Sequence, residues 1–258
     1  MTGRFAMLAA RGDSTNIVAN ELRKQFGDFP LLLETREPAW KMLRRRARRL
    51  GYWTVAGQAM FLAAAAPWLR HRGARRIAEI ERQCGLDASA VRSNVVYVGS
   101  ANSEEAIARL GALDPELVVV NGTRILSRRV LGSISGRFLN MHAGITPAFR
   151  GCHGAYWALA AGQPHLAGVT VHWMDAGIDT GRVVKQAVIR PAATDNFVTY
   201  PYLQLAVGLP LLVETIREFF AGQVREVAVE PGVAAGSQLY YHPTLWAYLS
   251  GRLLRGVR

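Results

Sequence analysis

A chain of 258 residues, half of them apolar, is long enough to bury one substantial core and a small second lobe. Its two cysteines, Cys84 and Cys152, form no CxxC pair and no His/Cys group, which excludes a disulfide framework and a zinc cage and fits a reduced, cytoplasmic setting. A formal charge of +12 implies attraction to phosphorylated substrates, nucleic acid or an anionic membrane face, and charge alone does not choose among them.

The first apolar run, FAMLAA, is too short for a signal-peptide core and lacks a small-residue cleavage site, so it reads as a first strand. Gly12, Ser14, Thr15 and Asn16 follow in GDSTN, ahead of the helical pattern NIVANELRKQFG. Backbone N–H groups at the start of such a helix suit a phosphate, and the same residues suit a plain helix cap. PLLLET is the second strand. Residues 37–87 then exceed the single helix of about a dozen residues that a βαβ crossover needs, and read as an insertion. It holds two basic clusters, KMLRRRARRL and RHRGARR, and between them GYWTVAGQAMFLAAAAPWL, 19 residues without a charge. That length is the minimum for crossing a bilayer, but Gly57, Gln58 and Pro67 interrupt it and arginine flanks both ends, so the asymmetry that orients a spanning helix is missing. The insertion reads first as a helix packed on the protein or on a partner subunit, as in a homodimer. Next comes a basic amphipathic element at the inner membrane surface, and a span is last.

NVVYVG, ELVVVNG and RFLNMHA are the next strands, separated by SEEAIARLGALD, capped by Asn102 or Ser103, and by SRRVLGSIS. This alternation predicts an α/β fold, a doubly wound, mostly parallel Rossmann-like sheet whose ligands sit beyond the carboxyl ends of the strands. After Gly162 two further strands, AGVTVHWMD and RVVKQAVIRP, are joined by AGIDTG. A helical stretch over residues 196–221 is expected to break at Pro201 and Pro210. The remainder, beginning REVAV, suggests one more strand, a turn at YYHPT and an amphipathic tail. The expected division is a catalytic domain over residues 1–194, with the insertion inside it, and a C-terminal helical extension over residues 195–258.

Alternate residues of a strand share a face, so Asn140 and His142 point together at the carboxyl end of the fifth strand. Such a pair can simply satisfy buried backbone groups. The loop WMDAGIDTG brings Asp175 and Asp179, either of which can be a turn former. An Asp near a strand-borne His can also hold its tautomer and favour its protonated form, as an acid/base pair requires.

The stretch from RILSRRVLGSISGRFLNMHAGITPAFRG to VHWMDAGIDTGRVVKQ resembles the catalytic core of the 10-formyltetrahydrofolate-dependent formyltransferases. That family includes glycinamide ribonucleotide transformylase, methionyl-tRNA formyltransferase and the amino-sugar N-formyltransferases. The resemblance covers residues 116–194 well and the first strand and loop weakly. It rests on Asn-x-His, the Pro-x-x-Arg-Gly corner and the acidic glycine loop. It implies that Asn140, His142 and Asp179 are catalytic, with Asp175 left as turn former. It also implies that Arg124, Ile125 and Leu126 help form the folate pocket, that Gly12, Ser14, Thr15 and Asn16 hold a substrate phosphate, and that His153 belongs to the acceptor side. Ser14 stands where the family loop often has a second glycine, a departure that bears on close phosphate approach.

The implied activity is transfer of a formyl group from 10-formyltetrahydrofolate to a primary amine of a small, phosphate-bearing substrate, an amino-sugar nucleotide or a glycinamide ribonucleotide-like compound, with no metal and no covalent enzyme intermediate. In that scheme Asn140 and a protonated His142 donate to the developing oxyanion. The chain is short for a core plus the C-terminal barrel of the tRNA enzymes, which argues against tRNA as acceptor. Two rivals are a formyltetrahydrofolate deformylase, whose usual N-terminal regulatory domain has no counterpart before Phe5, and a non-catalytic basic membrane- or nucleic-acid-binding protein on the same scaffold.

Overall fold

The computed structural model describes residues 5–229, 232–233 and 236–258. Its centre is a seven-stranded sheet in the order β3-β2-β1-β4-β5-β7-β8. The strands are β1 (Phe5–Ala10), β2 (Leu31–Glu34), β3 (Val95–Val98), β4 (Leu117–Asn121), β5 (Arg137–His142), β7 (Gly168–Trp173) and β8 (Val183–Val188). β1 to β5 run parallel, β7 pairs antiparallel with β5, and β8 pairs antiparallel with β7. The expected mostly parallel, doubly wound sheet is what the chain forms.

Central strands buried on both faces read as continuous apolar runs, and the period of two sorts their side chains. Met7, Ala9, Leu31, Leu33, Leu117 and Val119 enter one core. Leu8, Leu32, Val118 and Val120 enter the opposite one. Helix α1 (Asp13–Phe26) and helix α8 (Tyr200–Phe220) cover the first face; α5 (Glu104–Leu113) and the short α6 (Arg128–Leu131) cover the second. The strand order turns back between β1 and β4, so the crevice beyond their carboxyl ends is the topological switch point where ligands of such sheets bind.

The insertion forms α2 (Ala39–Leu50), α3 (Tyr52–Met60), one π-helical turn (Phe61–Ala65) and α4 (Ala66–Cys84). No helix among the described residues is long and apolar enough to cross a membrane. The second half of α4 packs Ile77 and Ile80 into the sheet core and is itself the β2–β3 crossover helix. The added material is therefore α2, α3 and the start of α4. Phe61 and Leu69 anchor it in a third apolar cluster with Phe149, Tyr156 and Tyr248. Those residues come from β6 (Phe149–Gly151), α7 (Gly154–Ala160) and the last helix, α9 (Leu245–Arg255).

One expectation needs adjustment. The helix after residue 196 is unbroken from Tyr200 to Phe220, because Pro201 lies in the first turn, where no N–H is needed. Pro210 is carried in the interior by packing, with Gly208 against Met141 and Val169 and the Gln204 amide donating to Gly168 O at 2.5 Å. In the last part of the chain the expected strand, turn and helical tail all form; ahead of them Val227 N–H is tied to Val183 O and Glu226 bridges Arg137 and Arg182. The late strand is β9 (Gln238–Tyr240), which pairs with β6 in a separate two-stranded sheet. Of the two expected caps of α5, Ser103 is the one that forms, accepting from Ala106 N–H at 3.2 Å.

Candidate active site

β5 delivers Asn140 and His142 at its carboxyl end, and the antiparallel pairing with β7 places His172 directly opposite Asn140. Asp179 reaches the same point from the β7–β8 loop. Its backbone is left-handed (φ 52°), a conformation Asp tolerates better than most residues, and this turns the carboxylate back over the sheet. Asp175 shapes the loop, its Oδ1 accepting from Gly177 N–H at 2.9 Å and Thr180 Oγ1–H at 2.7 Å. Gly181 is required because a Cβ there would overlap the Trp173 carbonyl.

The Asp179 carboxylate binds Gly151 and His142 and stands near His172. Oδ2 accepts from Gly151 N–H at 2.8 Å and lies 3.4 Å from His142 Nδ1, while Oδ1 lies 3.7 Å from His172 Nε2. His142 is buried, and its Nε2 sits 2.9 Å from Phe149 O, so Nε2 carries a proton and donates. Both nitrogens of His142 thus face acceptors, and in this geometry neither is free to donate to a third group. The expectation that His142 donates directly to an oxyanion is not met by this arrangement: its positive form would act through charge, held beside Asn140.

His172 explains how Asn140 is aimed. Its Nδ1–H donates to Trp173 O at 2.8 Å, and burial pushes the imidazole down and keeps it neutral, so Nε2 presents a lone pair. The Asn140 Nδ2 amide, 3.2 Å away, is the donor that satisfies it. This fixes which way the amide points and leaves its second N–H for a reacting oxygen. His172 escapes a reading of the sequence because VTVHW looks like a buried strand; only the register between β5 and β7 reveals it.

The other anticipated residues lie along the same edge of the sheet. Thr15 is buried and donates to Ala10 O at 2.6 Å, and Asn121 Nδ2 donates to Thr15 Oγ1 and Ser14 Oγ at 2.9 and 3.2 Å. Asn16 donates to Ala88 O at 3.2 Å. The N–H groups of Thr15 and Asn16 both return to Gly12 O and Asp13 places an acid in the first turn of α1, but no side chain caps the helix: those of Ser14, Thr15 and Asn16 tie the loop to β1, β4 and Ala88. After β4, Arg124 N–H donates to the buried Glu34 carboxylate at 2.7 Å and Ile125 O accepts from Asn102 at 2.9 Å. Leu126 is buried and Ile125 is exposed. An open cavity of about 340 Å³ adjoins Asp179, lined by Thr146, Thr180, Arg182, Glu226 and Val227.

His153 is left-handed at φ 60°, its ring tilted against Phe197 with centroids 4.4 Å apart. Its Nε2 is 2.8 Å from Nδ1 of His242, within the YYHPT turn, where Thr244 caps α9 by accepting from Ala247 N–H. Burial pulls His153 down to about 3, with His242 adding to it, and pulls His242 down to about 4, with Arg46 adding to it. The insertion closes over this pair: Gln58 donates to His242 O at 2.9 Å, and the Arg49 guanidinium stands 5.7 Å over the Tyr241 ring. Arg46 is on the inward side of α2, next to buried Ala47, and has no carboxylate partner among the described residues. Burial pushes the Cys152 thiol up, with Arg46 and Asp179 acting on it in opposite senses.

Residues 79–203 match the formyl transferase family, a stretch that contains Asn140, His142, His172 and Asp179 and begins after most of the insertion. The chain is 30% identical over 173 residues to methionyl-tRNA formyltransferase of Thermodesulfovibrio yellowstonii, covering 67% of this chain and 52% of that protein. It is 29% identical to GDP-perosamine N-formyltransferase of Brucella melitensis over 63% of this chain and 61% of that one. To phosphoribosylglycinamide formyltransferase of Mycobacterium tuberculosis it is 39% identical over 43% of this chain and 52% of that one. Phosphoribosylglycinamide formyltransferase of Streptococcus pneumoniae shares the fold at a TM-score of 0.55 and 21% identity, over 85% of this chain and 99% of that one. A 4-N formyltransferase of Francisella tularensis does so at 0.57 and 11%, over 93% and 77%. Residues 79–203 carry a formyl transferase domain, and that part of the chain supports membership of the formyltransferase superfamily. It spans about half the length of the curated relatives it matches.

Proposed function

We propose that this chain is a cytoplasmic N-formyltransferase that moves the formyl group of 10-formyltetrahydrofolate to a primary amine on a small, phosphate-bearing acceptor, an amino-sugar nucleotide or a glycinamide ribonucleotide-like compound. The observation that carries the reading is the convergence on Asp179 of His142 and of His172, the residue that orients the Asn140 amide. The cavity beside Asp179 falls in the range of small-molecule sites, and exposed Ile125 offers an apolar edge for a folate ring at the neighbouring strand end.

The amine lone pair attacks the formyl carbon, whose oxygen becomes an oxyanion. Asn140 gives that oxygen a hydrogen bond, and positively charged His142 supplies charge that matters most in the transition state. Asp179 takes the amine proton through a water and returns it to the folate nitrogen as the carbon–nitrogen bond to the folate breaks.

Arg46 supports a phosphate on the acceptor: it is an inward-facing cation with no carboxylate partner among the described residues, in the insertion whose Arg49 and Gln58 reach Tyr241 and His242. Arg46→Gln is expected to raise KM for a phosphorylated acceptor about tenfold or more, the worth of one charge-assisted hydrogen bond, with kcat little changed. Steady-state kinetics with sugar-nucleotide and glycinamide ribonucleotide acceptors checks this. Equal KM values in the two proteins, or equal use of a dephosphorylated amine, contradict it.

A further inference from the structure

The insertion and the C-terminal helix come together on the outside of the molecule. Trp246 of α9 packs on Gly57 of α3, and Arg252 of α9 stands 5.5 Å over the Trp68 ring, which Arg72 flanks at 5.4 Å. The two helices therefore run side by side in the same direction.

Their outward residues are apolar and aromatic. Trp53 is 85% exposed, and Met60, Leu62 and Trp68 follow it along the 52–68 segment. On α9, Trp246 and Leu249 lead to Leu253 and Leu254, which are 80% and 81% exposed. Single exposed apolar side chains are ordinary on a protein surface, but a face with this many is not.

The segments that build this face are strongly basic: Arg45, Arg70 and Arg76 are held by Glu37, by Asp13 and by Asp195 with Glu79, and their other lysine and arginines form no ion pair among the described residues. Residues 38–78 contain ten Lys and Arg and no Asp or Glu, and residues 231–258 contain three Arg and no acid. A second copy would bring the same cations to the contact with no acid from either segment to meet them. A nucleic acid would satisfy the arginines and leave Leu253 and Leu254 in water. An anionic bilayer surface meets both demands, since tryptophan and leucine enter the headgroup boundary while arginine meets the lipid phosphates.

We infer that the joined face of α3, the start of α4 and α9 seats this protein on an anionic membrane surface as an interfacial, non-spanning contact. The catalytic edge needs no change for this, because none of the face residues belongs to the Asn140, His142 and Asp179 site. The seating is independent of which amine is formylated.

The test is co-sedimentation of the full chain with vesicles of phosphatidylcholine, with and without one-third phosphatidylglycerol. Binding to the anionic vesicles, weak binding to neutral ones, and a blue shift of tryptophan emission on binding are expected. The triple variant Trp53→Ser, Leu253→Ser, Leu254→Ser, altered only at highly exposed positions, should bind anionic vesicles about tenfold more weakly or less and keep its thermal unfolding midpoint. Wild-type protein that stays in the supernatant overturns the inference, as does a variant that binds as well as wild type. So does a wild-type dimer that the variant dissolves without any vesicle binding, or retention on RNA in place of vesicles.

Discussion

Asp179→Asn is expected to lower kcat by about a hundred- to ten-thousandfold while leaving affinity for 10-formyltetrahydrofolate nearly unchanged, the span typical of removing a positioned acid/base group. The amide keeps an oxygen that can accept from Gly151 N–H, so the left-handed turn and the loop built on Asp175 and Gly181 keep their shape. What disappears is the negative charge beside His142 Nδ1 and the acceptor for the amine proton. Because both effects are felt as the tetrahedral carbon forms, the loss belongs to kcat and not to binding. Stopped-flow turnover beside folate binding followed by fluorescence measures the two quantities separately. A variant with wild-type kcat removes Asp179 from the mechanism, and a variant that loses binding and its thermal midpoint together makes Asp179 structural.

Asn140→Ala should cost about a hundred- to thousandfold in kcat, the scale of removing one oxyanion donor. The charge-bearing replacement Asn140→Asp should cost more, because a carboxylate would face the growing oxyanion and also the lone pair of neutral His172. The order wild type, Ala, Asp is therefore a signature of donation and not of packing, since Asp is closer to Asn in size than Ala is. A measured order in which Asp matches wild type contradicts the assignment of Asn140 as donor.

Much of this site is legible in the chain because it depends on local periodicity. Asn140 and His142 share a strand face by the period of two, and the strand ends where a glycine and proline corner begins. Asp175 and Asp179 are separable only in three dimensions, where one closes its own turn and the other crosses to Gly151 and His142. His172 and the His153–His242 pair are set by contacts between segments 32 and 89 residues apart, and nothing local announces them. The glycine and serine loop after β1 looked equally suited to a phosphate or to a helix cap; Thr15, bonded to Ala10 O and Asn121, uses its side chain as the fold needs it.

The insertion shows the same division. Its charge and apolar content stand out in composition, yet its position could not be read there. α2 and α3 bend back over His242 and Tyr241, and α9, from the far end of the chain, completes the outer face. Proline taken alone predicts a break in the late helix, but burial of α8 against β7, β8 and α1 outweighs one missing N–H.

The central claim concerns the fate of one carbon. Isotope-labelled formyl on 10-formyltetrahydrofolate, incubated with the full chain and a panel of phosphorylated amines, should appear as a formamide on one acceptor in amounts equal to the tetrahydrofolate released, with little release when the amine is left out. Label recovered as free formate at the same rate with and without amine would contradict transfer and make the chain a hydrolase.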